Sequence, residues 1–202
     1  MSDRPALPFE LVDGRRLEKK IRAVLRPGEL VADSRGRARR LPRFFYEVPS
    51  WEVARGVQLT PHFGLWELLD VDFREAEAMR AFPRFVPCAI TLLAAALEVF
   101  RDRVGTVVRI AANGAYRSPG HALNPHASPH SWGTAANIYR IGSEMMDSQE
   151  TIEKYIRQAR DTLPGVWTQP FGAGRGEAFD HLHLDLGYTT VVPHDAPDED
   201  RS

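Results

Sequence analysis

Two hydrophobic periods alternate along the chain, and the predicted elements follow from where each period runs. Apolar residues at helical spacing predict three main helices, over Arg15 to Leu25, Val86 to Val104, and Ser148 to about Leu163. Gly105 is placed to end the second helix, and Asp147 with Glu150 resembles a capping box that opens the third. Shorter helices are predicted within TPHFGLWELL and over Asp72 to Met79.

β-branched and aromatic runs at the strand period predict a small sheet. The predicted strands are RFFYEV, Thr106 to Ala112, Gly133 to Ile141, Val166 to Gln169 and Phe179 to Leu186. A long helix ahead of these strands and a second helix inserted among them are typical of the α+β class. We therefore expect a small, mostly antiparallel sheet with flanking helices, and one face of that sheet left open as a groove.

The character of the chain changes near residue 57. Residues 1–57 are interpreted as an N-terminal extension of unknown role, residues 58–190 as the main domain, and the acidic, proline-bearing residues 191–202 as a disordered tail. The extension carries an arginine run, Arg35, Arg37, Arg39, Arg40 and Arg43. Because the whole chain has a net charge of -1, a solvated hairpin turn is favoured over a phosphate-contacting patch.

Composition narrows the classes of partner and of metal site. The balanced charge disfavours nucleic acid, and no apolar stretch is long enough to span a membrane. The first residues lack the features of a Sec signal peptide, which predicts a protein that is cytoplasmic or released by phage lysis or a dedicated secretion route. With Cys88 as the single cysteine, any metal must be held by histidine, carboxylate or amide groups.

Five of the seven histidines fall in two segments, Asn113 to Tyr139 and Asp180 to Leu186. Side chains two residues apart on a strand share a face, so His181, His183 and Asp185 are predicted to point the same way. Imidazoles gathered from distant segments are what a zinc site needs. The loop residues His121 and His126 are predicted to be solvated, with His126 the candidate exception, and His62 is expected in a turn or packing role.

Three motifs occur in a particular order: Tyr-Arg-Ser at residues 116–118, SPHSWGTAANI at residues 128–138, and Asp-His-Leu-His at residues 180–183. This order resembles the zinc D-Ala-D-Ala carboxypeptidase family, which includes VanY-like carboxypeptidases, phage endolysin peptidases and the Hedgehog signalling domain. The resemblance covers about residues 59 to 188 and includes His62-Phe63 with Trp66-Glu67. It implies a Hedgehog or D-Ala-D-Ala peptidase-like fold.

The resemblance also implies a role for each motif residue. His130 and His183 would be zinc ligands, Asp180 the general base that takes the proton of the attacking water, and Arg117 the group that steadies the substrate carbonyl or its oxyanion. His181 would be auxiliary near the metal, Ser128 would contact substrate, and Tyr116 and His126 are further candidates of the same kind.

One position departs from the family pattern. Seven residues after His130 the family places an aspartate as the third zinc ligand, and this chain has Asn137. An amide oxygen binds zinc more weakly than a carboxylate and leaves the site one charge more positive. Zinc is then held through this amide, held through a substitute among His126, His181 and Asp185, or absent. The amide itself reflects natural degeneration, remodelling around another ligand, or a deliberate change that traps an inactive form, and the sequence leaves all three open.

Two functions are therefore carried forward. The favoured hypothesis is a hydrolase, a zinc metallopeptidase of carboxypeptidase type that cuts D-Ala-D-Ala or related bonds in the stem peptides of cell-wall peptidoglycan. It is favoured because Asp180, Arg117 and both outer histidines match the pattern. The alternative is a catalytically impaired binding module that recognises a cell-wall peptide or a protein partner.

Overall fold

The structure is a computed structural model of the chain, and it describes residues 7–174, 176–194 and 196. Within these residues lie six α-helices: α1 Lys19–Leu25, α2 Trp51–Gly56, α3 Leu65–Leu68, α4 Glu77–Arg80, α5 Ile90–Val104 and α6 Gln149–Thr162. The ten strands are β1 Glu10–Asp13, β2 Leu30–Ala32, β3 Ala38–Arg40, β4 Phe44–Val48, β5 Arg84–Pro87, β6 Val108–Ile110, β7 Ala135–Ile141, β8 Glu144–Met145, β9 Trp167–Thr168 and β10 Leu182–Asp185. The predicted α+β class is confirmed.

The strands form three small sheets in which every pair of neighbouring strands is antiparallel. The largest has the order β6-β7-β10-β9, with β8 also paired to β7. A second sheet has the order β1-β4-β5, and β2 with β3 makes a separate hairpin. The Hedgehog-like topology implied by the resemblance stays a prediction.

The largest sheet has one face in the core and one face at the site. Leu182 and Leu184 of β10 are fully buried together with Leu97 of α5 and Ile152 of α6. Because successive side chains of a strand point to opposite faces, His183 and Asp185 emerge on the other side of β10. The hydrophobic face therefore fixes which side chains reach the groove, as the alternation of leucine and histidine predicted.

The sequence on either side of residue 57 is joined by the second sheet. β4 pairs with β5 in the register Tyr46 opposite Val86, and Phe45 packs with Phe85 in a small cluster that also includes Leu25. The predicted division into an extension and a main domain is therefore crossed by a shared sheet. Of the predicted tail, residue 195 and residues 197–202 lie outside the described residues.

Several predicted boundaries were wrong. The long helix begins at Ile90 and not at Val86, since Arg84–Pro87 pairs with β4 as a strand. The N-cap of α6 is Ser148, whose Oγ accepts from the backbone N–H of Thr151 at 3.2 Å, so the capping box at Asp147 was misplaced. Helix α1 begins at Lys19, after a 3₁₀ turn over Gly14–Arg16.

Among the residues described, no helix combines the length and the apolar character that crossing a membrane requires.

Candidate functional site

A tight backbone segment at Gly114 and Ala115 positions two of the motif residues. The Asn137 N–H donates to the Gly114 carbonyl at 2.6 Å, and the Asn137 carbonyl accepts from the Ala111 N–H at 2.9 Å. A Cβ on Gly114 would lie 2.4 Å from the Ala111 carbonyl oxygen, so only glycine fits this approach. The neighbouring Ala115 carbonyl lies 2.8 Å from Nδ1 of His130. One short segment therefore holds both His130 and Asn137.

The ring of His130 is fixed with one nitrogen available. The side chain is buried, and the carbonyl of Ala115 requires the proton to sit on Nδ1. Burial, reinforced by the positive charge of Arg117 and by His183, holds the pKa of His130 well below its usual range. The ring is thus neutral at neutral pH and carries its lone pair on Nε2, the form in which histidine binds a metal.

Asn137 and His183 are direct cross-strand neighbours in the β7–β10 pair, so their side chains project from the same face. His183 Nδ1 lies 2.8 Å from Asn137 Oδ1, and its Nε2 lies 3.0 Å from Asp185 Oδ2. A neutral imidazole has a single N–H, and the Asp185 carboxylate favours it on Nε2. In this tautomer Nδ1 of His183 and Oδ1 of Asn137 both carry lone pairs, so the 2.8 Å contact between them is not a hydrogen bond.

The two imidazoles meet at one place. The ring centroids of His130 and His183 are 5.3 Å apart, with the rings at 66°. Trp167 of β9 packs edge-on against His183, at a centroid distance of 5.5 Å. The histidines of two segments that are far apart in the chain are therefore brought together, as predicted from the sequence.

These side chains border a cavity of about 640 Å³, a size typical of small-ligand sites. Its lining includes the predicted residues Arg117, Ser128, His130, Asn137, His181, His183 and Asp185, together with Trp167, Leu123 and Tyr188. The cavity thus collects most of the motif residues on one surface.

Arg117 is a buried cation without a hydrogen-bonded or ion-paired counter-ion among the described residues. Its side chain is 7% exposed, lines the cavity, and has no hydrogen bond or ion pair among the described residues. Burial lowers the pKa of Arg117 to about 10, the positive charge of Arg74 adds to this effect, and the Glu75 carboxylate partly opposes it. The group remains charged at neutral pH, and a buried unpaired guanidinium is placed to receive an anion or a carbonyl oxygen from a ligand.

Asp180, the predicted general base, does not line the cavity and is connected to it through its neighbour His181. Its carboxylate is exposed and accepts from Nδ1 of His181 at 2.6 Å, while His181 itself lines the cavity. Burial lowers the pKa of His181, and Asp180 only partly offsets this. The pair places an unprotonated Nε2 on His181, backed by a carboxylate.

Two further predicted site residues, Tyr116 and His126, do not line the cavity. Tyr116 is buried, and its hydroxyl donates to the Phe85 carbonyl at 3.0 Å, which ties the motif loop to β5. Burial raises the pKa of this phenol well above its ordinary value. His126 lies beside a separate depression near β2. Neither side chain joins the lining of the cavity, because a motif fixes residue order and not side-chain direction.

His121 is not solvated, contrary to the prediction. It is 2% exposed, its Nε2 lies 2.9 Å from Asn113 Oδ1, and its Nδ1 accepts from the Leu123 N–H at 3.0 Å. Burial lowers the pKa of His121, against a smaller opposing effect of Glu75. This histidine braces the loop that precedes His130.

A second group of metal-type donors lies outside the cavity. Within the described part of the chain, His62, Glu98 and Asp102 form the one histidine, cysteine or carboxylate trio whose ligand atoms lie within 4.8 Å of one another. His62 donates its backbone N–H to Glu98 and also bonds the same carboxylate through Nδ1. These hydrogen bonds hold the loop before α3 against α5, in agreement with the turn or packing role predicted for His62.

The sequence did not predict that the N-terminal hairpin would form a wall of the cavity. Ala127 donates its N–H to the Ala32 carbonyl at 2.9 Å, and the buried Trp132 donates its Nε1–H to the Arg40 carbonyl at 3.1 Å. The Tyr188 hydroxyl donates to the Ala127 carbonyl at 3.2 Å, and the guanidinium of Arg39 lies 4.5 Å above the Tyr188 ring. The arginine run was the one sequence feature that marked this hairpin. Its contacts with the cavity wall could not be predicted from it, because they join residues far apart in the chain.

The cavity lining contains donor atoms of the types that zinc binds. Nε2 of His130, Nδ1 of His183 and the amide oxygen of Asn137 are the nitrogen and oxygen atoms in question, and both rings have their outer nitrogen held by an acceptor, Ala115 or Asp185. Such outer hydrogen bonds orient and strengthen histidine ligands in zinc sites. The amide is the weak member of the set, since it brings no charge.

Comparisons of the chain with protein-family models, with curated proteins and with solved structures found no match.

Proposed function

We propose that this chain is a zinc-dependent peptidase that hydrolyses D-Ala-D-Ala or related bonds of peptidoglycan stem peptides. The observation that carries the proposal is the pair of buried histidines. His130 and His183 come from separate segments, lie with ring centroids 5.3 Å apart, and each have the outward nitrogen held by an acceptor. The choice of substrate rests on the motif resemblance.

His130, His183 and Asn137 are the residues that would hold the metal. When bound in such a site, zinc lowers the pKa of a water molecule toward neutrality and polarises the scissile carbonyl. The histidines also form part of the cavity wall, and Trp167 packs edge-on against His183. Asp185 keeps the His183 ring in the orientation that aims Nδ1 at Asn137.

Arg117 stabilises negative charge on the substrate. As the carbonyl is attacked, charge develops on its oxygen, and a preorganised donor in a water-poor site lowers the energy of that state. Arg117 suits this role because it is buried, charged and unpaired among the described residues. A carboxylate paired directly with Arg117 would neutralise the guanidinium and leave less positive charge to stabilise the substrate oxygen.

Asp180 and His181 act together in proton transfer. Nδ1 of His181 donates to Asp180 at 2.6 Å, which leaves Nε2 to accept the proton that the attacking water loses. In this arrangement Asp180 orients the ring and stabilises its protonated form. The same pair then returns the proton to the leaving amine.

The test combines metal analysis with a product assay. We expect zinc to copurify in stoichiometric amount and D-alanine to be released from a stem-peptide analogue that ends in D-Ala-D-Ala. Asn137→Asp should bind zinc about tenfold more tightly, since it adds a charge to the ligand set. A wild-type chain without zinc or D-alanine release, together with an active Asn137→Asp variant, would overturn the proposal.

A second candidate function is a binding module, and one contact favours it. When the His183 proton sits on Nδ1 and not on Nε2, Nδ1 donates to the amide oxygen of Asn137 at 2.8 Å and has no lone pair left for a metal. In that state the cavity recognises a cell-wall peptide without cutting it. Retention of the chain on purified peptidoglycan sacculi, with no D-alanine released, would support this function, and absence of retention would exclude it.

A further inference from the structure

The turn of the β2–β3 hairpin, residues 33–37, lies in the wall of the same cavity and carries Arg35 and Arg37. We infer that this turn is a carboxylate-binding subsite, in which Arg35 receives the free C-terminal carboxylate of a peptide whose scissile carbonyl faces Arg117. The inference rests on the proposed peptidase function and names the side chain that recognises the free carboxylate of its substrates. It also assigns a role to the N-terminal extension, which the motif resemblance leaves unexplained.

The turn is built rigidly around Asp33. This carboxylate is 4% exposed, and its Oδ1 accepts from the backbone N–H groups of Arg35 and Arg37, both at 2.9 Å. Its Oδ2 accepts from the guanidinium groups of Arg37 and Arg39 at 3.0 to 3.1 Å. Burial opposes ionisation, but these hydrogen bonds outweigh it and hold the pKa of Asp33 far below the usual range.

The turn is also fixed to the elements that carry the site. Asp33 bridges to Ala127, three residues before His130, and the hairpin is tied to Trp132 and Tyr188 by the contacts described above. These anchors come from the segment before β7 and from the residues that follow β10. The backbone at Arg35 is therefore held in place relative to both histidine segments, so only the side chain has to be ordered when a ligand binds.

The charges of the lining leave Arg35 available. Five charged aspartate and arginine side chains line the cavity: Asp33, Asp185, Arg35, Arg37 and Arg117. Asp33 is engaged by Arg37 and Arg39, and Asp185 by His183 and the Gly187 N–H. The side chains of Arg35 and Arg117 have no such partner among the described residues. The cavity thus holds two guanidinium groups without a directly bonded carboxylate among the described residues, in a chain whose net charge is -1.

The shape of the site points to a carboxylate and not to a nucleic acid. A concave space of about 640 Å³ suits a short peptide, whereas an extended polyanion is bound through many basic contacts along an open surface. Guanidinium groups pair with carboxylates through two parallel hydrogen bonds, which gives direction as well as charge. Arg117, deep in the cavity, and Arg35, exposed at the turn, would contact two different groups of one peptide.

The experiment is a titration of the full chain with N-acetyl-D-alanine and with its neutral amide, followed by calorimetry or NMR at low ionic strength. We expect the carboxylate probe to bind about tenfold more tightly than the amide, the difference expected for one charge-assisted contact. Arg35→Gln should reduce this ratio to near one. Arg40→Gln is the matched control, since it removes the same charge from the same hairpin at a residue that does not line the cavity.

Equal affinity of the two probes, a preference that survives Arg35→Gln, or no saturable binding would each overturn the inference. Preferential binding of inorganic phosphate over N-acetyl-D-alanine would also overturn it. The readout is separate from turnover, so the two proposals fail in different ways. If no stem peptide is cut while Arg35-dependent carboxylate binding persists, the peptidase proposal fails and the subsite stands. If stem peptides are cut with an unchanged KM in Arg35→Gln and no probe preference is seen, the subsite fails alone.

Discussion

Asn137 determines the charge of the candidate metal site. Its amide oxygen faces Nδ1 of His183, and the same cavity lining contains the buried guanidinium of Arg117. A carboxylate at this position would neutralise part of that positive charge, whereas an amide leaves it for the substrate. The same substitution that weakens metal binding therefore strengthens the attraction of the cavity for an anionic peptide.

The contact of Asp185 with His183 predicts a measurable effect on zinc binding. Asp185 Oδ2 accepts from Nε2 of His183, and Oδ1 accepts from the Gly187 N–H at 2.8 Å. Asp185→Asn should keep the fold but lower zinc affinity about tenfold, because the ring loses its charged acceptor. Competition with a chelator measures the affinity. Asp180→Asn is the control, expected to keep zinc affinity and to lose turnover, and equal affinities for wild type and Asp185→Asn would contradict this role.

His121 predicts a pH dependence of stability. Burial lowers its pKa in the folded state, so above about pH 6.5 the ring is neutral in both folded and unfolded chains and contributes no slope. As the pH falls below that value, the unfolded chain takes up a proton that the folded chain does not, and stability decreases. Urea unfolding at pH 7.5 and 5.5 should therefore show a smaller loss in His121→Gln. His130 and His181, whose pKa values are also lowered, retain part of the slope. An identical loss in the variant would show that this ring is not responsible.

The face of the sheet on which a side chain lies was predictable where the two-residue period of a strand determines it. The shared face of His183 and Asp185 followed from their spacing of two, and the burial of Leu182 and Leu184 confirms it. The direction of the Tyr116 side chain was not predictable, because its hydroxyl donates to the carbonyl of Phe85, thirty-one residues earlier. The same holds for His121, whose partner Asn113 has a left-handed backbone that no pattern indicated.

At the scale of elements, the approach of the Gly114 segment to β7 predicts a strong effect of a single methyl group. In Gly114→Ala the new Cβ would lie 2.4 Å from the Ala111 carbonyl oxygen and 2.8 Å from that of Asn137. We expect a loss of about 1–3 kcal/mol in the free energy of unfolding, together with weaker zinc binding, measured by urea titration and chelator competition. Gly56→Ala is the control, since no atom lies within 4 Å of its Cβ position. Equal stability of the two variants would contradict this account of the turn.

The helices and strands themselves were predicted better than the contacts between them. The arginine-bearing hairpin was expected as a hairpin, but its contacts reach Ala127, Trp132 and Tyr188, and the Arg40–Trp132 bond spans 92 residues. Local sequence carries no signal for contacts of that range. The predicted start of the long helix at Val86 was wrong for the same reason, because Arg84–Pro87 pairs with β4 as a strand.

At the scale of the whole molecule, the N-terminal residues are part of the fold that carries the site. Strands β1 and β4 provide the remainder of the sheet that holds β5, and Phe45 covers Phe85 and Met79 in the smaller core. The hairpin β2–β3 closes the cavity beside the histidines. The N-terminal strands therefore contribute both to a sheet of the core and to the cavity.

A chain that begins at residue 58 is therefore expected to lose the cooperative fold. Without β4, the strand Arg84–Pro87 has no partner, Phe85 and Val86 are exposed, and the Nε1–H of the fully buried Trp132 loses the Arg40 carbonyl. Exposing two large apolar side chains and orphaning a buried donor costs several kcal/mol, about the whole stability of a typical domain. Thermal unfolding followed by near-ultraviolet circular dichroism measures this loss, with the full chain as reference. A cooperative transition within a few degrees of the full chain would show that residues 58–190 fold alone, and the N-terminal hairpin would then be a separable addition to the site.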